Sequence, residues 1–254
     1  INQLALLTRP NEKALSEANK VLQMLGAVNE QLEITKDGRL LSKIPLHPRL
    51  ARIILAGGKD ATLLASVLSN ADPLNNMNSS DINIRIAAIK NYQKQKSDSS
   101  YSLRVPIIKG IMKEISRLSK HLTNQSNYTV AQLAALAYPD RIGKRRKGEM
   151  PRYILSNGKG AIMAESDPLR STPFLVACNL DGNLQEAKLR QFVPITLSEI
   201  KELFGNQIFS IQTCEWSKRQ QKVTAYQQEK LGQLTLEEKV WQDAPSNMII
   251  DAML

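Results

Sequence analysis

The sequence has few of the residues that form disulfide-stabilised folds, metal sites or membrane spans. Its 254 residues include 2 cysteines and 2 histidines, and aromatic residues make up 5%. Cys178 and Cys214 match neither a disulfide framework nor a zinc pattern, which favours a reducing cytosolic setting. Charged residues interrupt every apolar stretch well before the roughly 20 residues that a bilayer crossing needs. We therefore expect a soluble, cytoplasmic protein that has no membrane partner.

The motifs of catalytic and nucleotide-binding sites are also missing. Residues 57–60 and 157–160 each contain Gly-Lys, but they lack the upstream Gly and the hydroxyl residue of a phosphate-binding loop. His47 and His121 are too few and too far apart in sequence to indicate a metal site. Neither cysteine has an evident general base. We therefore predict no catalytic residue, no metal site and no cofactor within this chain.

What the sequence does have is positive charge. Its 34 Lys and Arg residues exceed its 24 Asp and Glu residues, for a net charge of +10. The excess is uneven, because residues 1–138 carry +8 and residues 139–254 carry +2. A basic protein of this kind favours an anionic partner, most commonly nucleic acid, then an acidic membrane face or an acidic protein.

The first half has the apolar spacing of helices. Leu15 to Leu25 places its apolar residues on one face and is closed by Gly26, and a short strand and a second short helix follow, as in the tail of a winged-helix domain. The segment from Val105 to Leu122 has the clearest amphipathic pattern. Because the chain begins with Ile, we expect it to be a segment of a longer protein.

After Pro139 the apolar spacing changes to that of strands. Asn157-Gly158 is a strong hairpin signal between two alternating segments, since both turn positions favour positive φ. Further strands are predicted near 174–180, 187–195, 208–216 and 223–226, with one short helix inserted after the Thr196 and Glu199 capping box. Short strands interrupted by one helix predict a small OB-like antiparallel β-barrel. The fold class is therefore α+β.

Two groups of basic residues are candidates for phosphate contact. The first lies on the helix opposite its apolar stripe, and the second surrounds the predicted hairpin. A solvated protein surface remains the alternative for each group. With few aromatic rings, among which Tyr153 and Tyr226 could stack on bases, contact with the nucleic-acid backbone is favoured over base reading. The first group is Lys109, Lys113, Arg117 and Lys120; the second is Arg141, Lys144, Arg145, Arg146, Lys147, Arg152 and Lys159.

Two separate motifs resemble a known family. The region after the motor domains of HrpB-type DEAH-box ATP-dependent helicases is similar in the order of these residues. The first motif is Ile44-Pro45-Leu46-His47-Pro48-Arg49, preceded by Leu25-Gly26-Ala27 and by Thr35 with Gly38-Arg39; the second is Ala137-Tyr138-Pro139-Asp140-Arg141-Ile142, with Arg145-Arg146 and residues 153–161.

The resemblance implies a division of the chain and a role for it. It implies the end of a winged helix at 1–44, a helicase-associated helical bundle called a ratchet at 45–138, an OB-like barrel at 139–230 and the start of a C-terminal region at 231–254. RecA-like motor domains that bind ATP and Mg²⁺ would lie upstream of this chain. The bundle and barrel would grip single-stranded nucleic acid, RNA being expected, while the motor steps along it. The alternative is a scaffold that docks an acidic partner or the motor.

Overall fold

The computed structural model describes an α+β protein in which helices come first and strands follow. It describes residues 8, 10–75, 77–95, 102–122, 124–183, 186–217 and 221–253. The helices are α1 (Glu12–Met24), α2 (Lys36–Leu41), α3 (Pro48–Ala56), α4 (Ala61–Ser69), α5 (Ile82–Gln93), α6 (Val105–Leu118), α7 (Val130–Ala137), α8 (Leu197–Phe204) and α9 (Ser246–Asp251). The strands are β1 (Ile142–Arg145), β2 (Arg152–Leu155), β3 (Gly160–Ile162), β4 (Phe174–Leu180), β5 (Glu186–Pro194), β6 (Ile208–Ser217), β7 (Lys222–Leu231) and β8 (Leu234–Val240).

The predicted helices form where the sequence signals place them. The side chain of Asn11 accepts a hydrogen bond from the backbone of Ala14 and starts α1, and Pro48 occupies the first turn of α3. The capping box at Thr196 and Glu199 starts α8, with both of its hydrogen bonds present. The isoleucines at 82, 84, 86 and 89 fit the apolar spacing of a strand as well as that of a helix, and they lie in α5. The long amphipathic helix ends at Leu118, because a short 3₁₀ turn replaces the α-helix there.

The helical bundle is built around α4. Residues 61–67 of α4 are all buried, and α4 packs on α3, α5, α6 and α7. Such a helix is apolar on all sides because it has no solvent face. Residues 1–7 and 9 of the predicted winged-helix segment lie outside the described residues. Among the described helices, none is long and apolar enough to cross a membrane.

Five strands close into a barrel, and this part of the sequence prediction needs correction. The strand order is β1-β2-β3-β5-β4, with β4 paired back to β1, and β3 runs parallel to β5 rather than antiparallel. The strands predicted at 208–216 and 223–226 do not join it. They lie in β6 and β7, which form a separate three-stranded sheet with β8. The helix α8 therefore follows the last barrel strand instead of interrupting the barrel. The residue boundaries of the four proposed domains stay a prediction.

The first junction between bundle and barrel is a buried ion pair. The guanidinium of Arg49 on α3 donates to both carboxylate oxygens of Asp140, at 2.6 and 2.9 Å, and to the carbonyl of Ala137 at 2.9 Å. Its side chain is 8% exposed and that of Asp140 is 12% exposed. The guanidinium also lies 5.1 Å from the ring centre of Tyr138. The two sequence motifs that carry the family resemblance therefore meet at this point.

The second junction adds part of the bundle to the barrel. The backbone N–H of Phe192 on β5 donates to the carbonyl of Ser80 at 3.1 Å, and Asp81 pairs in parallel with Phe192. The carboxylate of Asp167, only 1% exposed, accepts from the hydroxyl of Ser79 and the N–H of Ser80. These bonds satisfy a buried charge that would otherwise be costly.

We expect the protein with the intact Arg49–Asp140 pair to be much more stable than a variant that retains only one of the two residues. Arg49→Ala and Asp140→Ala should each lower the free energy of unfolding by about 3 kcal/mol or more, because each leaves one buried charge without its partner. The double variant should lose less than the sum of the two. Urea denaturation measures this. The pair Arg52–Asp37, 3.2 Å apart and with side chains 26% and 50% exposed, is the more solvated control, and Arg52→Ala should cost at most about 1 kcal/mol.

Gly57, which ends α3, should not tolerate a side chain. Its φ is +79°, and a Cβ atom there would lie 2.2 Å from the carbonyl oxygen of Asn124. Gly57→Ala should therefore destabilise the protein by about 2 kcal/mol or more, measured by thermal unfolding. Gly205 has a helical backbone and open space around it, so Gly205→Ala should be neutral or slightly stabilising. Equal effects of the two substitutions would contradict this interpretation.

Candidate nucleic-acid interface

Two of the predicted hairpin cations are bound by backbone carbonyls of the protein. The ammonium of Lys144 on β1 donates to the carbonyls of Thr235 at 3.0 Å and Leu236 at 2.9 Å, and burial lowers the pKa of this lysine. The guanidinium of Arg145 donates to the carbonyls of Arg170 and of the following loop. Lys144 therefore holds the barrel to β8, and Arg145 holds the β1–β2 loop.

The other cations of this region have more freedom. Arg146 and Lys147 are exposed in the β1–β2 loop and form no ion pair within the described ranges. Arg141 is half-buried, 5.3 Å from the ring centre of Tyr138 and 3.8 Å from the carboxylate of Asp140. Lys159 is exposed in the β2–β3 turn. These four side chains, unlike Lys144 and Arg145, can reach a bound anion.

A basic face that combines the predicted Arg152 with two cations outside the predicted groups covers strands β2, β3 and β5. The register pairs Arg152 with Ile162 and Ile162 with Lys188, so these three residues form one row across the strands. Arg152 and Lys188 are exposed, as is Arg190 two residues further along β5. Arg152 lies 3.3 Å from Glu186, whereas Lys188 and Arg190 have no ion pair in the described part of the chain. The alternation of β5, with both cations on its outer side, was the signal that could have identified them.

The helix stripe is exposed, but one of its members is paired. Lys109, Lys113 and Lys120 point to solvent on α6 and the turn after it. Arg117 donates to both carboxylate oxygens of Glu114, at 2.5 and 2.9 Å, which lowers the pKa of Glu114. This exposed pair reduces the positive charge of the stripe.

The apolar side of α6 packs on α4. Ile108 and Ile111 are fully buried there. The segment just before α6 contacts the loop at 72–75 through the Leu74–Leu103 bridge, and that loop is followed in sequence by the Ser79–Asp81 junction with the barrel. That the stripe and the hairpin share one surface stays a prediction.

The aromatic residues offer little for base stacking. Tyr153 is fully buried in the barrel, where its hydroxyl donates to the carbonyl of Thr172 at 2.9 Å. The expectation that Tyr153 could stack on a base is therefore wrong, because β2 turns this side chain inward. Tyr226 is half-buried on β7, in the second sheet instead of the barrel.

The structure gives His47 a role in capping a helix and buries the thiol of Cys178. His47 caps α3, and its Nδ1 accepts from the backbone N–H of Arg49 at 3.2 Å. Burial, followed by the charges of Arg49 and Arg141, lowers the pKa of His47, which favours the neutral ring that this bond requires. Burial raises the pKa of the Cys178 thiol to about 12, so this thiol stays protonated at neutral pH.

Comparison with known proteins gives a consistent result over most of the chain. Residues 20–46 match the helicase-associated (HA2) winged-helix domain. The chain is 25% identical over 238 residues to the ATP-dependent RNA helicase HrpB of Escherichia coli K12, covering 92% of this chain and 27% of that protein. It is 39% identical over 74 residues to the probable ATP-dependent RNA helicase DHR1 of Saccharomyces cerevisiae, covering 27% of this chain and 6% of that protein.

Two solved structures share the fold. A crystal structure of the E. coli DExH-box NTPase HrpB superposes with a TM-score of 0.74 at 24% identity, and one of the E. coli DEAH/RHA helicase HrpB with a TM-score of 0.71 at 22% identity. Each comparison covers 99% of this chain and 30% of the solved chain. This protein thus spans under a third of the length of these relatives. It matches the C-terminal region of HrpB-type DEAH-box helicases, with helices that include an HA2 winged-helix segment followed by a small five-stranded barrel.

Proposed function

We propose that this chain is the accessory, non-motor part of a cytoplasmic ATP-dependent RNA helicase. In this role it holds a single strand of nucleic acid by its backbone while RecA-like domains outside the chain hydrolyse ATP. The similarity to HrpB supports the helicase assignment. The lack of a phosphate-binding loop supports a non-motor role, because ATP and Mg²⁺ would be bound by the motor domains.

The observation that best supports strand binding is the row formed by Arg152, Ile162 and Lys188. It lies on the outer side of β2, β3 and β5 of a closed five-stranded barrel, and we interpret this barrel as OB-like from its strand order. In OB-folds the face of strands 2 and 3 binds oligonucleotides. Exposed cations on such a face contact phosphates, which are the same in every sequence. We therefore propose Arg152, Lys188 and Arg190 as the central contacts, with Arg146 and Lys147 beside them.

The proposed grip should be strongly dependent on salt. If five cations neutralise phosphates, the slope of log K against log salt for a single strand should be near −3.5, from about −0.7 per contact. The triple variant Arg152→Ala, Lys188→Ala, Arg190→Ala should make that slope shallower by about 2, because three contacts are lost. Fluorescence anisotropy of a labelled oligonucleotide between 50 and 200 mM salt measures both slopes.

The matched control removes the same charge elsewhere. Lys43, Lys59 and Lys94 are exposed and form no ion pair within the described residues, so replacing all three with Ala should leave the slope close to that of the original chain. If both triple variants made the salt slope shallower by the same amount, net charge alone would attract the strand. A salt response that is flat in the original chain would contradict the proposed grip.

The backbone contacts should not select a sequence. The barrel triple variant should weaken binding of oligo-U, oligo-A and a mixed-sequence strand by the same factor, because phosphates carry no base identity. A second variant, Lys109→Ala, Lys113→Ala, Lys120→Ala, tests the helix stripe in the same assay. Loss of affinity for only one of the three strands would contradict backbone recognition.

A protein scaffold is the second candidate, and the second sheet favours it. Phe209, Trp216 and Val240 are large apolar residues that are 48%, 45% and 70% exposed on β6 and β8. Phe209 and Trp216 are an odd number of positions apart on β6 and lie on opposite faces of the sheet, so each face offers an apolar group to a protein partner. Capture of a partner protein that survives nuclease treatment, together with no binding of labelled oligonucleotide, would support the scaffold over the strand grip.

A further inference from the structure

A cleft lies between α1 and one end of the barrel, separate from the basic face of β2, β3 and β5. Its volume is about 910 Å³, at the upper end of the range of small-molecule sites. One wall is formed by Lys20, Val21 and Met24 of α1. The opposite wall is formed by the β2–β3 turn and residues 180–183, and the Arg49–Asp140 pair and Arg141 also line the cleft.

Three cations line this cleft without a close ionic partner. Lys20 and Lys159 form no ion pair in the described part of the chain, and both are exposed. Arg141 is 3.8 Å from Asp140, but that carboxylate is already bound by both terminal nitrogens of Arg49. The ring of Tyr138 beneath its guanidinium limits the positions that Arg141 can take.

The acidic groups of the cleft are mostly satisfied from within the protein. The carboxylate of Asp181 accepts from the backbone N–H of Lys188 at 2.8 Å and from that of Asn183 at 3.4 Å, and these hydrogen bonds lower its pKa. Asp140 is paired with Arg49, so the rest of the lining carries the three cations Lys20, Arg141 and Lys159 against the two carboxylates Glu17 and Asp181. The cleft therefore favours an anion.

The lining also has apolar residues on both walls. Val21 and Met24 of α1, Leu180 at the end of β4 and Leu231 at the end of β7 contribute to it. A site that combines an apolar surface with several cations suits a ligand that has a flat ring at one end and a phosphate at the other. An acidic peptide would use the cations but not this surface.

We propose that this cleft binds a nucleoside monophosphate, with the phosphate at Lys20, Arg141 and Lys159 and the base against Val21, Met24 and Leu180. The monophosphate can be a free nucleotide or the 5′-terminal nucleotide of a strand, because both present the same chemical group. Arg141 is the residue that can donate to two phosphate oxygens at once. Arg141 and Lys159 were predicted from the sequence to contact phosphates along a strand. In the cleft they would instead contact a single terminal phosphate.

The test compares AMP with adenosine by isothermal titration calorimetry on the 254-residue chain. AMP should bind at least tenfold more tightly than adenosine. The double variant Lys20→Ala, Lys159→Ala should weaken AMP binding at least tenfold and should leave the thermal unfolding temperature unchanged, because both side chains are exposed. The control Lys43→Ala, Lys94→Ala removes the same charge outside the cleft and should bind AMP as the original chain does.

A competition experiment distinguishes the two sources of the phosphate. A 5′-phosphorylated oligoadenylate that displaces AMP tenfold better than its 5′-hydroxyl form supports the end of a strand as the ligand, and equal displacement supports the free nucleotide. Equal affinity for AMP and adenosine, or unchanged AMP binding in the Lys20 and Lys159 double variant, would overturn the site. Either of these results leaves the salt-dependent strand binding of the barrel face untouched, so the two proposals fail separately.

Discussion

The buried pair of Arg49 and Asp140 is the contact on which the arrangement of this protein depends. It joins the start of α3 to the short turn that enters the barrel, and the carbonyl of Ala137 and the ring of Tyr138 complete the surroundings of the guanidinium. A charge in this position is tolerated because a carboxylate pairs with it and three hydrogen bonds hold the guanidinium. The pair thereby fixes how the last bundle helix continues into β1, and with it the position of Arg141 at the cleft.

Local signals in the sequence predicted where the helices start. The strand order of the barrel is determined by pairing between distant residues. Asn11, Pro48 and the Thr196–Glu199 capping box act within a few residues of the helices that they start, so their effect is readable from the sequence. The parallel pairing of β3 with β5 joins residues about 26 positions apart and leaves no local pattern, so the extent of the barrel was not predictable from period alone.

In the candidate interface, too, the sequence shows the charges, and long-range contacts determine which of them are exposed. The cations of the sequence pointed to candidate regions of the surface, but the sequence did not show which of these side chains are exposed. Lys144 is bound by carbonyls of β8, about 91 positions away, and Arg145 is bound by its own loop, while Lys188 and Arg190 are exposed on the face that they share with Arg152. The charge of a lysine is fixed by its chemistry, whereas its accessibility is fixed by neighbours that only the fold brings near it.

The parallel pairing of Asp81 with Phe192 makes the barrel depend on the bundle. The segment at 79–81 belongs to the bundle in sequence, yet the carbonyl of Ser80 accepts a hydrogen bond from Phe192 on β5, the strand that pairs with both β3 and β4. A cut in the chain at Pro139 would leave the isolated barrel without this backbone hydrogen bond and without the bonds from Ser79 and Ser80 to Asp167. We therefore expect the excised barrel to be less stable than the barrel within the chain.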